Sequence, residues 1–228
     1  MLKNVSNVLL LATLWFFKTF FKDPSLPNID IHYASELLTW LFADDTSLVA
    51  SANSILSLKS KMNSQISKVQ DWLLANRLSV HYVKKSQYML VNYLNLPADP
   101  EGNFKLEMGN HIIERTQCYR YLGIIVDERF SWTHHIDEVC HKLSQVAGVM
   151  FKIRKLLSSH ALKLVYHSLA GSKLRYGLIC WATANKSLLN RINVAHNRII
   201  TCMSFSKRCS RMWPLYCKLK ILPLDILI

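Results

Sequence analysis

The sequence predicts an α+β fold in which antiparallel β-hairpins and one long helix precede a helical region. Two short apolar runs, residues 37–42 and 46–50, flank an acidic turn, and this pattern is typical of two strands joined by a tight connection. From Asn53 the apolar residues recur at three- and four-residue steps, as in an amphipathic helix. Beyond Trp132 the period is again helical. A seam between the two regions is therefore expected near residues 127–133.

The helix after the acidic turn is predicted to extend for about 20 residues, with Asn53 or Ser54 as its N-cap. Its apolar stripe consists of Ile55, Leu58, Met62, Ile66, Val69, Trp72 and Leu73. Trp72 and Trp132 are interpreted as core residues rather than as platforms for stacking bases.

More strands are predicted between this helix and Trp132. Residues 88–91 are one candidate, and residues 104–108 and 111–113 indicate a hairpin around Gly109-Asn110, because Gly and Asn tolerate the positive φ of a two-residue turn. Tyr119–Val126 is predicted as another strand.

Two apolar stripes predict helices in the C-terminal region. The first contains Ile136, Val139, Leu143, Val146, Val149, Met150, Ile153 and Leu157, and the second Leu162, Val165, Tyr166 and Leu169. Segments around 188–203 and 213–219 are also predicted to be helical.

The net charge of +13 is confined to one part of the chain. Residues 1–140 carry 13 Lys and Arg against 14 Asp and Glu, whereas residues 141–228 carry 15 Lys and Arg against Asp225 alone. Such asymmetry favours a polyanionic partner, since neutralising phosphates releases counterions. The alternative is a solvated basic surface.

The apolar stretch Val8–Phe17 is about half as long as the roughly 20 residues that span a bilayer. No small-residue cleavage site follows it, and Lys22-Asp23-Pro24 ends the run, so a buried helix, or a remnant of one, is preferred to a signal peptide. The six cysteines form no C-x-x-C pair, which favours reduced thiols in an intracellular protein.

The acidic turn Ala43-Asp44-Asp45 is the candidate for chemistry. Adjacent carboxylates at a hairpin tip suit a pair of divalent cations, which can clamp the attacking and leaving oxygens of a phosphoryl transfer. Mg²⁺ favours this kind of ligation by carboxylates, phosphates and water. An Asp-Asp pair alone is common in loops, and the flanking apolar strands strengthen the prediction.

The motifs together resemble the reverse transcriptases of non-LTR (LINE-like, jockey-type) retrotransposons. Residues 41–48, Leu-Phe-Ala-Asp-Asp-Thr-Ser-Leu, are similar to the family's F/Y-A-D-D catalytic hairpin. Residues 72–79 resemble its W-x-x-x-N-x-L-x pattern, and residues 84–89 its N-x-x-K-T-x-x-M segment. The resemblance implies metal-binding roles for Asp44 and Asp45, and for Lys85 a role in assisting the leaving pyrophosphate.

The resemblance continues to the end of the sequence. Tyr121-Leu122-Gly123 and the residues up to Asp127, followed by 130–136, are similar to the primer-gripping hairpin and the start of the thumb. Residues 215–216 and 221–225 resemble the family's tail. The implied organisation is a degenerate apolar N-terminal remnant (1–36), a partial palm (37–130) and a basic helical thumb-like region (131–228).

Two family features are absent from these 228 residues. A complete palm has another metal-binding Asp on an earlier strand and a G-x-P-Q-G-S segment, and the fingers are also expected to be missing. Asp23 and Asp30 lie too near the hairpin, in a Pro-containing stretch, to stand for that strand. A sheet without its central strands is therefore expected.

The resemblance implies an RNA-directed DNA polymerase fragment, inactive alone, with Mg²⁺ as cofactor. Its implied partners are an RNA template, a DNA primer and dNTPs, inside the cell, in the nucleus or cytoplasm, and without a membrane segment. Two alternatives are a non-catalytic nucleic-acid-binding remnant and a translated relic without function. Expected phosphate contacts, which position a duplex without reading its sequence, are Lys152, Arg154, Lys155, Lys163, Lys173 and Arg175.

A cluster of His134, His135, Cys140 and His141 invites comparison with a zinc site. The His-His-x₄-Cys-His spacing lacks the usual paired ligands, and the same positions alternate around the predicted helix. Structural histidines are therefore preferred.

Overall fold

The computed structural model describes residues 8–17, 38–42, 45–52, 54–77, 79–80, 86–91, 104–207 and 210–227. The described residues form two compact units. Unit 1 comprises the described part of residues 1–119 with Asp127–Arg129, and unit 2 comprises Arg120–Val126 with residues 130–228. Mixed helices and strands confirm the predicted α+β class.

The described part of unit 1 is a seven-stranded sheet with one helix. The strands are β1 (Val8–Phe17), β2 (Leu38–Phe42), β3 (Asp45–Ala52), β4 (Ser79–Val80), β5 (Gln87–Val91), β6 (Leu106–Met108) and β7 (His111–Arg115). Their order is β2-β3-β1-β5-β7-β6, with β4 paired to β1. β5 and β7 are parallel, and the other pairs are antiparallel.

Helix α1 (Ile55–Ala75) confirms the predicted amphipathic helix. Ser54 is its N-cap, and the Ser54 hydroxyl accepts a hydrogen bond from Ser57 N at 3.1 Å, which satisfies one of the unpaired amides of the first turn. The buried face consists of Leu58, Met62, Ile66, Val69 and Leu73. These residues share one core cluster with Leu48 and Tyr88 of the sheet.

The hairpin β6–β7 is also confirmed, with Met108 paired to His111 across Gly109-Asn110. Gly109 has a φ of +61°, and a Cβ placed there would lie 2.8 Å from Gln70 Nε2 of α1. The positive φ of the turn therefore favours glycine, and the flexible end of the Gln70 side chain would have to shift for a larger residue.

Unit 2 contains the strand pair β8 (Cys118–Tyr121, which begins in unit 1) and β9 (Ile124–Asp127), followed by helices. These helices are α2 (Thr133–Ile153), α3 (Ser159–Tyr166), α4 (Ser172–Arg175), α5 (Leu178–Trp181), α6 (Lys186–Met203), α7 (Met212–Leu219) and α8 (Leu224–Leu227), with a π-helical turn at His167–Gly171. Its core centres on fully buried residues such as Ile136, Leu143, Trp181, Ile192 and Ile199.

Two sequence expectations are wrong. Val8–Phe17 is a strand, not a buried helix, and β1 lies between β3 and β5; the sheet therefore has a central strand within the described residues. An unbroken apolar run fits a buried strand as well as a buried helix. Tyr119–Val126 is not one strand, because positive φ values at Leu122 (+45°) and Gly123 (+86°) turn the chain into a hairpin.

Among the described helices, none has the length and hydropathy needed to cross a membrane. The five cysteines for which the structure gives a state, Cys118, Cys140, Cys180, Cys202 and Cys217, are free thiols.

Candidate active site and nucleic-acid interface

The strands on either side of the acidic turn form an antiparallel ladder. Five pairs join β2 to β3, from Leu38 opposite Val49 to Phe42 opposite Asp45. Because Phe42 and Asp45 are paired, the strands are connected through positions 43 and 44 alone. The predicted two-stranded ribbon is thus confirmed, and Asp45 is the first residue of its second strand.

The neighbour of this ribbon is β1, whose register brings Trp15 opposite Asp45. Beyond that pair, Phe16 and Phe17 are opposite Val80 and Ser79 of β4. The strand Val8–Phe17 contains no Asp or Glu. The strand that adjoins Asp45 therefore supplies no carboxylate ligand.

The predicted catalytic residues differ in how far the structure describes them. Asp44 and Lys85 lie outside the described residues, as do Asp23 and Asp30. Among the residues that are described, no group of three or more His, Cys, Asp or Glu side chains could hold a metal ion.

The residues predicted to grip the primer lie at the β8–β9 turn. Tyr121 ends β8, and Leu122 and Gly123 form the turn. The hydroxyl of Tyr176 donates a hydrogen bond to Leu122 O, and a Cβ on Gly123 would lie 3.3 Å from the Tyr176 ring. Two consecutive positive φ values match the twist of a two-residue hairpin.

An ion-pair cluster joins this hairpin to α2. Glu138 accepts hydrogen bonds from Arg120 of β8, one of them at 3.1 Å, and also pairs with Lys142. Hydrogen bonding by Arg120, and to a lesser extent by Lys142, lowers the pKa of Glu138 to about 2. The carboxylate therefore stays charged under all ordinary conditions.

The six predicted phosphate contacts follow one another along the helices of unit 2. Lys152 lies in the last turn of α2, Arg154 caps that helix, Lys155 follows it, Lys163 lies in α3, and Lys173 and Arg175 lie in α4. None of the six forms an ion pair with a described carboxylate; within unit 2, Asp137 and Glu138 pair instead with Arg120, Lys142 and Arg191.

The histidines of the candidate zinc cluster do not converge on one point. His135 is buried, its Nδ1 accepts a hydrogen bond from Ile125 N at 3.3 Å, and its ring packs near Trp181. Burial lowers the pKa of His135. His134 and His141 are exposed, and His141 contacts Gln145. Trp132 is buried as predicted, with Nε1 donating to Thr183 Oγ1 at 3.2 Å.

Comparison with known proteins shows what this chain is similar to. The chain is 26% identical over 172 residues to the RNA-directed DNA polymerase from mobile element jockey of Drosophila melanogaster. It is 21% identical over 190 residues to the protein of the same description from Drosophila funebris, and 23% identical over 193 residues to a probable RNA-directed DNA polymerase from transposon BS. The chain is similar to part of a jockey-type reverse transcriptase. The resemblance predicted from the motifs is therefore confirmed.

The jockey-type similarity covers most of this chain and little of its relatives. The aligned segments span 74–82% of the chain, and the chain spans about a fifth of the length of these curated relatives. No protein-family model and no solved structure matches the chain.

One group of residues lies outside all of the jockey-type motifs. Phe151, Arg154, Val194, Arg198, Cys202 and Met212 line a cleft of about 770 Å³ in unit 2, here called the α2–α6 cleft. The sequence signal was present in Phe151-Lys-Ile-Arg-Lys155, where an aromatic residue is interleaved with basic ones. This local pattern does not predict the cleft, because Arg198 and Met212, which also line it, are distant from residue 151 in sequence.

Proposed function

We propose that this chain is the portion of a retrotransposon RNA-directed DNA polymerase that contains the catalytic hairpin and the basic region after it. The observation that carries the proposal is the β2–β3 ladder, which closes at Phe42 and Asp45 and so has Asp45 as the first residue of β3, directly after the connection that contains Asp44. The descriptions of the relatives support the same function. In this proposal unit 1 corresponds to part of the palm and unit 2 to the thumb-like region.

The proposed chemistry is nucleotidyl transfer from dNTPs to a DNA primer on an RNA template, inside the cell. By resemblance, Asp44 and Asp45 would bind Mg²⁺ and Lys85 would assist the departing pyrophosphate. These 228 residues alone are proposed to be inactive, because β1 offers no carboxylate beside Asp45 and incomplete coordination leaves the two cations poorly held.

Primer extension on an RNA template with Mg²⁺ tests the catalytic part of the proposal. The wild-type chain is expected to incorporate no more nucleotide than the Asp44→Asn and Asp45→Asn variants. Incorporation by the wild type that disappears in either variant would overturn the proposed inactivity and would support the roles of the two aspartates.

A second candidate function is nucleic-acid binding without catalysis, through the basic helices of unit 2. The exposed Lys152, Lys155 and Lys173 and the half-buried Lys163 favour it. None of them pairs with a described carboxylate, so their charges are available to phosphates. Tyr121, Leu122 and Gly123 would contact the primer through the β8–β9 turn.

Duplex binding measured at several salt concentrations tests this second function. If all six predicted contacts are made, the logarithm of the affinity should fall with the logarithm of salt concentration with a slope of about −5. Replacing Lys163 and Lys173 by Gln should make the slope shallower by about 2. The matched pair Lys68→Gln and Lys105→Gln, on exposed cations of unit 1, should leave it unchanged. A salt-independent affinity would refute the proposal.

A further inference from the structure

The guanidinium of Arg154, a residue that lines the α2–α6 cleft, lies close to two aromatic rings. Its Cζ is 4.4 Å from the centroid of the Phe151 ring and 5.1 Å from that of Phe205. Its Nη1 donates to Cys202 O at 3.4 Å, a long hydrogen bond. Contacts of this kind between a cation and a ring face favour a fixed position of the guanidinium, which carries its N–H donors in one plane.

Part of this hydrogen-bonding capacity is unused. Nε of Arg154 is buried and has no acceptor among the described residues, and no described carboxylate pairs with the side chain. A buried donor on a charged group is costly when unpaired. An anion entering the cleft would meet this charge and that of Arg198, which also lines the cleft.

The aromatic rings around Arg154 are exposed. Phe151 is 61% and Phe205 57% accessible, and Val194 at the same cleft is 54% accessible. Large apolar side chains left in contact with water favour a ligand that has an apolar face of its own. A nucleobase has such a face, and stacking on an aromatic side chain is tolerant of sequence.

We infer that the α2–α6 cleft binds a nucleotide of single-stranded nucleic acid, with its base against Phe151 and its phosphate on Arg154 and Arg198. The inference rests on the proposed nucleic-acid function and gives Arg154 a ligand other than a duplex. The size of the cleft is within the range of roughly 300–1,000 Å³ that small-molecule sites occupy. The positive charge of this region suits a phosphate-containing ligand, because residues 141–228 carry 15 Lys and Arg against one Asp.

A single strand fits this cleft better than a duplex does. In a duplex the bases are stacked on one another, so none can lie against a ring inside a concave site. A single strand exposes each base in turn and keeps the phosphates on a flexible backbone. The duplex contacts proposed above involve lysines such as Lys163 and Lys173, which do not line the cleft.

The test measures binding of the full chain to a labelled oligothymidylate of about 12 nucleotides and to a hairpin duplex, by fluorescence anisotropy at low salt. Phe151→Ala should weaken single-strand binding roughly 5- to 100-fold and change duplex binding less than about twofold. The matched control is Leu156→Ala, which removes an apolar side chain that is 81% exposed and does not line the cleft; it should change neither.

A second pair of variants separates the phosphate contact from stacking. Arg198→Gln should weaken single-strand binding and make its salt slope shallower by about 0.7. Lys186→Gln removes the same charge from the same helix, outside the cleft, and should leave both unchanged. An oligomer with abasic sites throughout should bind weakly and lose its sensitivity to Phe151→Ala.

The outcomes distinguish this inference from the proposed function. Salt-dependent duplex binding with no effect of Phe151→Ala or Arg198→Gln on the single strand would overturn the cleft and leave the proposed function standing. Loss of single-strand binding in these variants, with no duplex binding by the wild type, would support single-strand binding in the cleft and refute duplex binding by the basic helices. Oligoglutamate binding with the same losses would overturn the inference in favour of an acidic peptide.

Discussion

At the scale of single residues, the most constrained group in unit 2 is a buried hydrogen-bond chain around His196. Tyr166 Oη lies 2.7 Å from His196 Nε2, and Tyr216 Oη lies 3.1 Å from Nδ1. Tyr216 also donates to Asn197 Oδ1 at 2.7 Å. Since the Tyr216 hydroxyl proton is used by Asn197, Nδ1 must carry the ring proton and Nε2 accepts from Tyr166. Every hydrogen bond in this group is therefore satisfied when the imidazole of His196 is neutral.

The hydrogen bonds around His196 predict how the stability of the protein depends on pH. Burial lowers the pKa of His196 from 6.5 to about 4. Between these values the unfolded state binds a proton that the folded state does not, so stability falls as pH decreases. In urea unfolding, His196 should contribute a decrease in the free energy of unfolding of about 2 kcal/mol from pH 7 to pH 5, and of about 3 kcal/mol in total below pH 4.

The matched variant for this prediction is His196→Gln, which lacks the titrating group at the same position. Other histidines and the carboxylates contribute a background pH dependence that both proteins share. The wild type should therefore lose more free energy of unfolding than the variant between pH 7 and pH 5. Equal losses would show that His196 is not the group responsible.

At the scale of elements, the β8–β9 hairpin depends on the turn between α4 and α5. Gly177 has a φ of +61°, and a Cβ there would lie 2.3 Å from Ile124 Cδ1 of β9. The side chain of Ile124 is not free to retreat without cost, because it packs against the unit 2 core. Both the backbone conformation and the space therefore favour glycine at this position.

Gly177→Ala should lower the free energy of unfolding by about 1–3 kcal/mol, from positive-φ strain and overpacking. Gly148→Ala is the control with the opposite sign: Gly148 lies within α2, and nothing is within 4 Å of a Cβ added there. It should raise stability by roughly 0.5–1 kcal/mol. Denaturant unfolding of the two variants decides the matter, and equal changes in both would contradict the role assigned to Gly177.

The elements also show where sequence patterns are sufficient. Helix α1 and the β6–β7 hairpin were predictable because a 3.6-residue period and a Gly-Asn turn are local signals. The strand character of Val8–Phe17 was not, since an unbroken apolar run has no period. The β8–β9 turn was missed because Leu122 is not a usual turn residue, and only its positive φ reveals the hairpin.

The candidate sites also differ in how far local sequence patterns predict them. The acidic turn was recognisable because Asp44 and Asp45 are adjacent in sequence and flanked by strands. That the strand beside Asp45 is β1, which contains no carboxylate, depends on the pairing of β1 with β3, which no local pattern specifies. The α2–α6 cleft joins Phe151 to Arg198 and Met212 through folding alone, so only its aromatic and basic composition near residue 151 was visible in the sequence.

At the scale of the whole molecule, each of the two units has its own hydrophobic core. The core of unit 1 is built from α1 and its sheet, with Leu58, Met62 and Ile66 fully buried. The core of unit 2 is helical, with Leu143 of α2 and Ile199 of α6 fully buried. Each unit therefore has its own set of buried side chains from which stability can arise.

Separate cores predict that damage to one unit stays local. Leu143→Ala should destabilise unit 2 by about 2–5 kcal/mol through the cavity it leaves, and Met62→Ala should destabilise unit 1 by a similar amount. Hydrogen exchange followed by mass spectrometry should show lost amide protection in α2 and α6 for Leu143→Ala, with α1 unaffected. Met62→Ala should give the reverse pattern. Equal loss of protection in both units from either variant would mean that the two cores unfold as one, because the free energy of each would then depend on the other.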